Sequence, residues 1–415
     1  MTSSAKPEFD LVLLGATGFT GRLLAEYLLS RHGADGDLRW ALAGRNEDKL
    51  KAVRSELGSA AESLPVLTAD SHDRASLDAL CARTAAICST VGPYALHGSD
   101  LVAACAASGT DYCDLTGEVP WMRRMLDAHE AAARESGARL VHCCGFDSIP
   151  SDLGVAFLQR AAVEQLGQPL TKIRMGVERM RGTMSGGTAA SMINIIEETR
   201  ENPEVARVAK NPYALCPEGA REGVRQPYVK GPEYDDGLDS WLSPFVMAAI
   251  NTRIVHRSHA LQGHPWGSDF HYDEAMMTGR GFGGRRRAWG WSLALGGFAV
   301  GASLKPTRRL MASRILPKPG EGPSAEQREK GFFRLLFDGR TADGKRLRAR
   351  VTGDRDPGYG STAKMLGEAA FTLATDLPRD AVAGGFWTPS TALGERLEAR
   401  LVKHAGLTFE LVEER

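Results

Sequence analysis

The stretch Phe9-Asp10-Leu11-Val12-Leu13-Leu14-Gly15-Ala16-Thr17-Gly18-Phe19-Thr20-Gly21 decides how this 415-residue chain is read. A compact apolar run stops at a glycine, the pattern of a strand buried in a parallel sheet. From Thr20 to Ser30, Leu23, Leu24, Tyr27 and Leu28 share one helical face. Between the two lies Gly15-x-x-Gly18-x-x-Gly21. Gly15 permits the tight turn off the strand, Gly18 lets a pyrophosphate approach the backbone, and Gly21 lets the helix pack closely on the sheet. The helix N-terminus adds free N–H groups and a positive dipole. With Thr17, Phe19 and Thr20, this loop is expected to bind a dinucleotide.

Working outward, strands are predicted near 38–43, 64–69, 85–90, 110–114 and 139–144, with helices between them. Such alternation is the mark of a doubly wound sheet. The predicted class is therefore α/β, an N-terminal Rossmann parallel sheet over residues 1–150 followed by a second α+β domain over 151–385. In the second part, helices are expected near 189–200 and 361–374, strands over 172–180 and 249–258, and an antiparallel hairpin from 332–337 and 345–352. Residues 386–415 are expected to form a C-terminal helix returning to the Rossmann domain.

The end of the second strand reads Ala43-Gly44-Arg45-Asn46. An acidic residue there would accept from a ribose 2′-OH, whereas arginine suits a 2′-phosphate. Gly44, Arg45 and Asn46 are thus assigned to selection of NADP(H). Val91-Gly92-Pro93-Tyr94 follows the fourth strand at the carboxyl edge, where a ligand of such a sheet lies. Val91, Gly92 and Pro93 are assigned to the cofactor, and Tyr94 to stacking or proton donation.

Lys and Arg number 51, as do Asp and Glu, so the net charge is zero. Hydrophobic residues make up 43% and charged residues 25%, which excludes a largely disordered or polytopic membrane chain. The balance argues against a dedicated nucleic-acid binder. Seven cysteines without a C-x-x-C read as buried reduced thiols in a cytoplasmic protein, not a disulfide framework. The segment MTSSAKPEFD lacks the features of a secretion signal. The histidines at 256, 259, 264 and 271 match no usual metal spacing, and no metal is expected.

The motifs above occur in order with Tyr112-Cys113-Asp114-Leu115-Thr116-Gly117-Glu118 and Gly145-Phe146-Asp147-Ser148-Ile149-Pro150-Ser151-Asp152. Ser185-Gly186-Gly187-Thr188, Asn251-Thr252-Arg253-Ile254-Val255 and Pro317-Lys318-Pro319-Gly320 extend the match over most of the chain. Together they resemble the saccharopine dehydrogenase-like oxidoreductases, above all the mycobacterial trans-acting enoyl reductases. The resemblance implies NADP(H) use and reduction of a carbon–carbon double bond in an acyl intermediate. In that subfamily the acyl chain is built by a polyketide synthase lacking its own enoyl reductase, on the way to glycolipids and other complex lipids. The alternatives are a saccharopine-type imine reductase acting on amino acids and an NADP-binding scaffold without turnover.

Enoyl reduction needs hydride at the β-carbon, a partner for the enolate oxygen and a proton for the α-carbon. Tyr94, Asp147 and Ser148 fall at the reactive edge and are the catalytic candidates. Tyr94 is the first choice as donor, while Asp147 and Ser148 also fit turn and cap chemistry. Solvent is a further proton source.

Between Ala275 and Gly320 stand nine Lys or Arg residues and no acid. Arg285-Arg286-Arg287 precedes an uncharged apolar segment, 288–304, with Lys305, Arg308 and Arg309 beyond it. Three placements are open: a buried helix or subunit interface, a membrane-facing segment, or a span. The basic patch suits docking of an acidic carrier protein, or peripheral contact of 285–309 with the inner face of the plasma membrane. A homo-oligomer is expected.

Overall fold

The computed structural model describes residues 6–182, 186–303, 307 and 322–413. β1 (Phe9–Leu14), α1 (Phe19–His32), β2 (Trp40–Gly44), α2 (Glu47–Glu56), β3 (Val66–Thr68) and α3 (Arg74–Cys81) form the first half of the nucleotide-binding unit. β4 (Thr84–Ser89), α4 (Tyr94–His97), α5 (Ser99–Ser108), β5 (Asp111–Asp114), α6 (Val119–Ser136) and β6 (Arg139–Val141) form the second. Every pairing in this sheet is parallel, in the order β3-β2-β1-β4-β5-β6. That is the Rossmann order, and β1 and β4 flank its switch point. The β1 side chains are buried apart from half-buried Asp10, as a strand covered by helices on both faces requires.

α7 (Ile149–Leu166) leads into β7 (Lys172–Arg181), α8 (Gly186–Glu201) and α9 (Pro203–Lys210). β8 (Glu233–Asp235), β9 (Ser240–Pro244), α10 (Ala248–Leu261), β10 (His271–Gly279) and α11 (Gly281–Ser303) follow. A hairpin of β11 (Phe332–Arg340) and β12 (Arg346–Gly353) precedes a helix over Thr362–Phe371. The second sheet runs β14-β12-β11-β7-β10-β9-β8, with β14 at Leu407–Leu411. Only its β7–β10 pair is parallel.

Two local expectations are corrected. Residues 249–258, expected as a strand, lie inside helix α10. Packing decides there: Ile250, Ile254, Val255 and Ser258 are buried, and the Arg257 guanidinium donates to the carbonyls of Leu215 and Phe386. Residues 386–415 are not one helix. Gly385–Trp387 forms β13, a seventh parallel strand beside β6 in the Rossmann sheet. Short helices at Pro389–Ala392 and Gly394–Arg400 follow, and β14 then joins the other sheet. The return is clamped by Arg139, 2% exposed, which pairs with Asp111 and donates to the carbonyls of Leu373, Leu377 and Pro378.

The segment 288–304 is described as far as Ser303, within α11; Leu304, Lys305, Arg308, Arg309 and the 317–320 motif lie outside the described residues. Ala288, Leu295, Phe298 and Ala302 point toward the protein, while Phe282, Leu293 and Val300 are 81%, 68% and 62% exposed. Among the described residues, no helix is long and apolar enough to cross a membrane.

Candidate active site

Gly15 leaves β1 at φ +95°, and a Cβ there would lie 2.7 Å from Thr90 Oγ1, so the two switch-point strands require glycine. A Cβ on Gly21 would stand 2.2 Å from the Gly15 carbonyl oxygen, so α1 packs directly on the turn. Gly18 differs: it is exposed, and a Cβ would meet nothing nearer than 3.4 Å. The space beside it is open, which fits a pyrophosphate at the α1 N-terminus. Thr17 and Thr20 are half-buried in the same turn. The Phe19 ring faces away, edge-on to Tyr359 at 4.7 Å and beneath Arg328.

Gly44 ends β2, and Arg45 is exposed with no acidic partner among the described residues. Asn46 caps α2, its Oδ1 accepting from the Lys49 N–H at 2.8 Å. His72 Nε2 and His97 Nδ1 lie 2.9 Å apart nearby. Burial lowers the His97 pKa, and the charges of His72 and Arg45 lower it further. Asp70 and Glu118 act on His97 in the opposite sense, so the exposed Arg45 is the cation here that suits a 2′-phosphate.

Val91, Gly92 and Pro93 run from β4 into α4 at the switch point. The Tyr94 backbone N–H donates to Glu118 Oε1 at 2.9 Å, and that of Ala95 to Glu118 Oε2 at 2.9 Å. The Tyr94 phenol turns inward. Its hydroxyl donates to the Ser89 carbonyl at 2.9 Å and accepts from the Leu115 N–H, beside Trp121. Burial, then the Asp114 carboxylate, push its pKa well above the usual tyrosine value. Ser148 is fully buried and donates to Asn251 Oδ1 at 3.1 Å.

Asp147 is placed differently. It lines a cavity of about 370 Å³ between the carboxyl edge of the Rossmann sheet and α11. Leu115, Phe146, Phe245, Trp291, Leu295 and Phe298 make the walls predominantly apolar, and Thr362 adds a hydroxyl. The Asp147 carboxyl lies over two glycines, within 3.7 Å of a Cβ built on Gly117 and 3.0 Å of one on Gly145. Burial raises its pKa to about 7, helped by Asp114 and opposed by a hydrogen bond to its own backbone. It is the only titratable side chain among the described residues lining the cavity.

Sequence reasoning missed what lies behind it. From Ser148 the hydrogen bonds continue as Asn251 Nδ2 donates to Glu274 Oε2 at 2.8 Å and Tyr272 donates to Glu274 Oε1 at 2.7 Å. Burial brings Glu274 to about 7, against these hydrogen bonds. Asn251 was visible only inside a motif, and Glu274 carries no local signal. The cavity walls contributed by α11 were legible as an apolar run but not as a lining. No group of three metal-binding side chains occurs among the described residues, and the seven cysteines are buried and free.

Residues 11–141 match the family described as saccharopine dehydrogenase NADP binding domain. A Mycobacterium tuberculosis (strain ATCC 25618 / H37Rv) protein, provisionally named a trans-acting enoyl reductase, is 41% identical over 415 residues, 97% of each chain. The chain belongs to the saccharopine dehydrogenase-like family, in the group of the trans-acting enoyl reductases. The trans-acting enoyl reductase of Mycobacterium ulcerans (strain Agy99) is 40% identical over 413 residues, covering 96% of this chain and 97% of that one. Among solved structures, the apo saccharopine dehydrogenase (L-Glu forming) of Saccharomyces cerevisiae covers 97% of this chain and 99% of its own, with a TM-score of 0.52 at 12% identity. That likeness concerns the fold. This member of the family is an NADP-dependent oxidoreductase, and its cofactor is NADP(H).

Proposed function

We propose that the protein reduces the carbon–carbon double bond of a long-chain enoyl thioester, acting in trans on an intermediate of lipid or polyketide assembly destined for glycolipids or other complex lipids. The observation that carries this reading is the apolar cavity with Asp147 in its lining. Its volume suits a small-molecule site, and its walls suit an alkyl chain. An amino-acid imine would bring two or more carboxylates, and the lining holds no Lys, Arg or His among the described residues. The relatives named trans-acting enoyl reductase support the same substrate class.

NADPH, when bound, supplies the hydride for the β-carbon. The glycine turn and the α1 N-terminus would hold its pyrophosphate, Arg45 its 2′-phosphate, and Val91, Gly92 and Pro93 its nicotinamide ribose. Asp147, neutral below pH of about 7, is our proton donor to the enolate. A carboxylic acid in an apolar-walled cavity delivers a proton that a carboxylate cannot. Tyr94 supports the edge through Ser89 and Leu115 instead of donating to substrate. Ser148 anchors the turn through Asn251.

The reading extends to residues 1–150 as the cofactor domain, to a cytoplasmic location, and to contact of the exposed α11 face with the inner face of the plasma membrane. The chemistry is tested by NADPH oxidation with enoyl thioesters of increasing chain length against saccharopine-type imine substrates. Turnover should occur with the thioesters and improve with chain length. Turnover of the imines alone, or cofactor binding without any turnover, would overturn it. Absence of liposome flotation at low salt would remove the membrane contact.

A further inference from the structure

Beyond the apolar cavity, on the far side of Trp291 and Met276, a second cleft of about 1000 Å³ opens to solvent. Both residues line both spaces, so their side chains are the wall that the cavity and the cleft share. The chemistry of the cleft is opposite to that of the cavity. Arg179 on β7 and Arg334 on β11 are register partners, side by side on one face of the sheet. Like charges directly opposed on neighbouring strands repel each other, and neither has an acidic partner among the described residues.

The acids in this cleft are already engaged. Glu178 accepts both hydrogen bonds of Arg350, at 2.9 and 3.1 Å. Asp239 pairs with Arg280 and accepts from the Tyr234 hydroxyl. Arg287, at the start of α11, uses its Nε–H on the Thr278 carbonyl at 2.8 Å, which aligns the guanidinium along the cleft wall. Three guanidinium groups therefore lack a countercharge beside the mouth of the proposed substrate cavity.

We infer that Arg179, Arg334 and Arg287 form an anion subsite for the phosphate of a phosphopantetheine-type arm, while its thioester acyl chain enters the cavity past Trp291 and Met276. This rests on the enoyl-thioester reading above. Two or three planar guanidinium forks match the several oxygens of a phosphate monoester or diester better than a single carboxylate. An anion also relieves the repulsion between the paired arginines. Phosphate held on one side and alkyl chain on the other would fix the depth at which the double bond meets Asp147.

The test compares one enoyl chain on pantetheine, on phosphopantetheine and on a carrier protein, with wild type and an Arg179→Gln/Arg334→Gln variant. Both arginines are exposed, so the fold should survive. Wild type should show a KM roughly tenfold or more lower for the phosphorylated arm than for pantetheine. In the variant that advantage should vanish, with the NADPH KM unmoved. Equal KM values for both arms in wild type would overturn the subsite. So would a variant that weakens only the carrier-bound substrate, since the arginines would then dock the carrier surface. If no thioester is reduced, the enoyl reading fails by itself. Calorimetric titration of phosphopantetheine into the NADPH-loaded enzyme then decides the subsite: binding lost in the variant supports it, and no binding to wild type overturns it.

Discussion

Asp147→Asn isolates the group on which the proposed chemistry depends. The side chain keeps its shape and loses its proton and its charge. Moving the carboxyl from 3.8 to about 7 corresponds to about 4 kcal/mol, at about 1.36 kcal/mol per unit. Water reaching the open cavity screens part of this, leaving roughly 2–4 kcal/mol against the ionised form. Because the folded-state pKa is raised, the stability contributed by the neutral carboxyl is complete below pH of about 4 and is lost as pH rises through about 7. The asparagine variant should therefore match wild type in thermal stability at low pH and exceed it increasingly up to pH of about 7, with a constant gap above. Activity should move the other way. Loss of a general acid costs roughly 10²- to 10⁴-fold, so kcat should fall by at least about 100-fold while NADPH affinity is retained. Wild-type kcat/KM should decline above pH of about 7, and the residual activity of the variant should lack that limb. The assays are NADPH oxidation across pH and calorimetric melting of both proteins. A variant within fivefold of wild-type kcat, or one that keeps the limb, would refute Asp147 as the donor.

Arg45→Ala should raise the NADPH KM by roughly 10- to 100-fold, the loss expected for charge-assisted hydrogen bonds, and leave the NADH KM nearly unchanged; equal effects on the two would sink its assignment to the 2′-phosphate. Leu295→Trp narrows the cavity, so KM for long-chain enoyl thioesters should increase about tenfold or more while short chains are spared. A uniform effect across chain lengths would count against an acyl cavity. Arg139→Met leaves the buried Asp111 carboxylate with only the more exposed Arg379 as its charged partner and strands three carbonyls of residues 373–378. It should cost about 3–5 kcal/mol, read as a lower Tm, and an unchanged Tm would mean that the clamp contributes little.

The cofactor half of the site was legible because its signals are local. A strand, a turn that tolerates positive φ at Gly15 and a helix start at Phe19 are written in consecutive residues, and Arg45 follows from its position at the end of β2. The substrate half was not. Tyr94 looked available from its place after a strand, yet its phenol is spent on the Ser89 carbonyl and the Leu115 N–H. Asp147 looked like turn chemistry, and burial among residues of distant elements, helped by the Asp114 charge, gives it an acid's pKa. Residues 249–258 are rich in β-branched side chains but are helical, because burial along α10 outweighs a weak local preference.

By itself, then, the sequence determined the Rossmann half, the cofactor class and the zero net charge with its hidden basic segment, since these depend on neighbours in the chain. The tertiary structure decided which carboxyl is desolvated, that residues 385–387 complete the first sheet, and that Arg179 meets Arg334 across β7 and β11. Each of these depends on groups brought together from far apart in the chain, and desolvation and charge repulsion act through space, where sequence separation has no meaning.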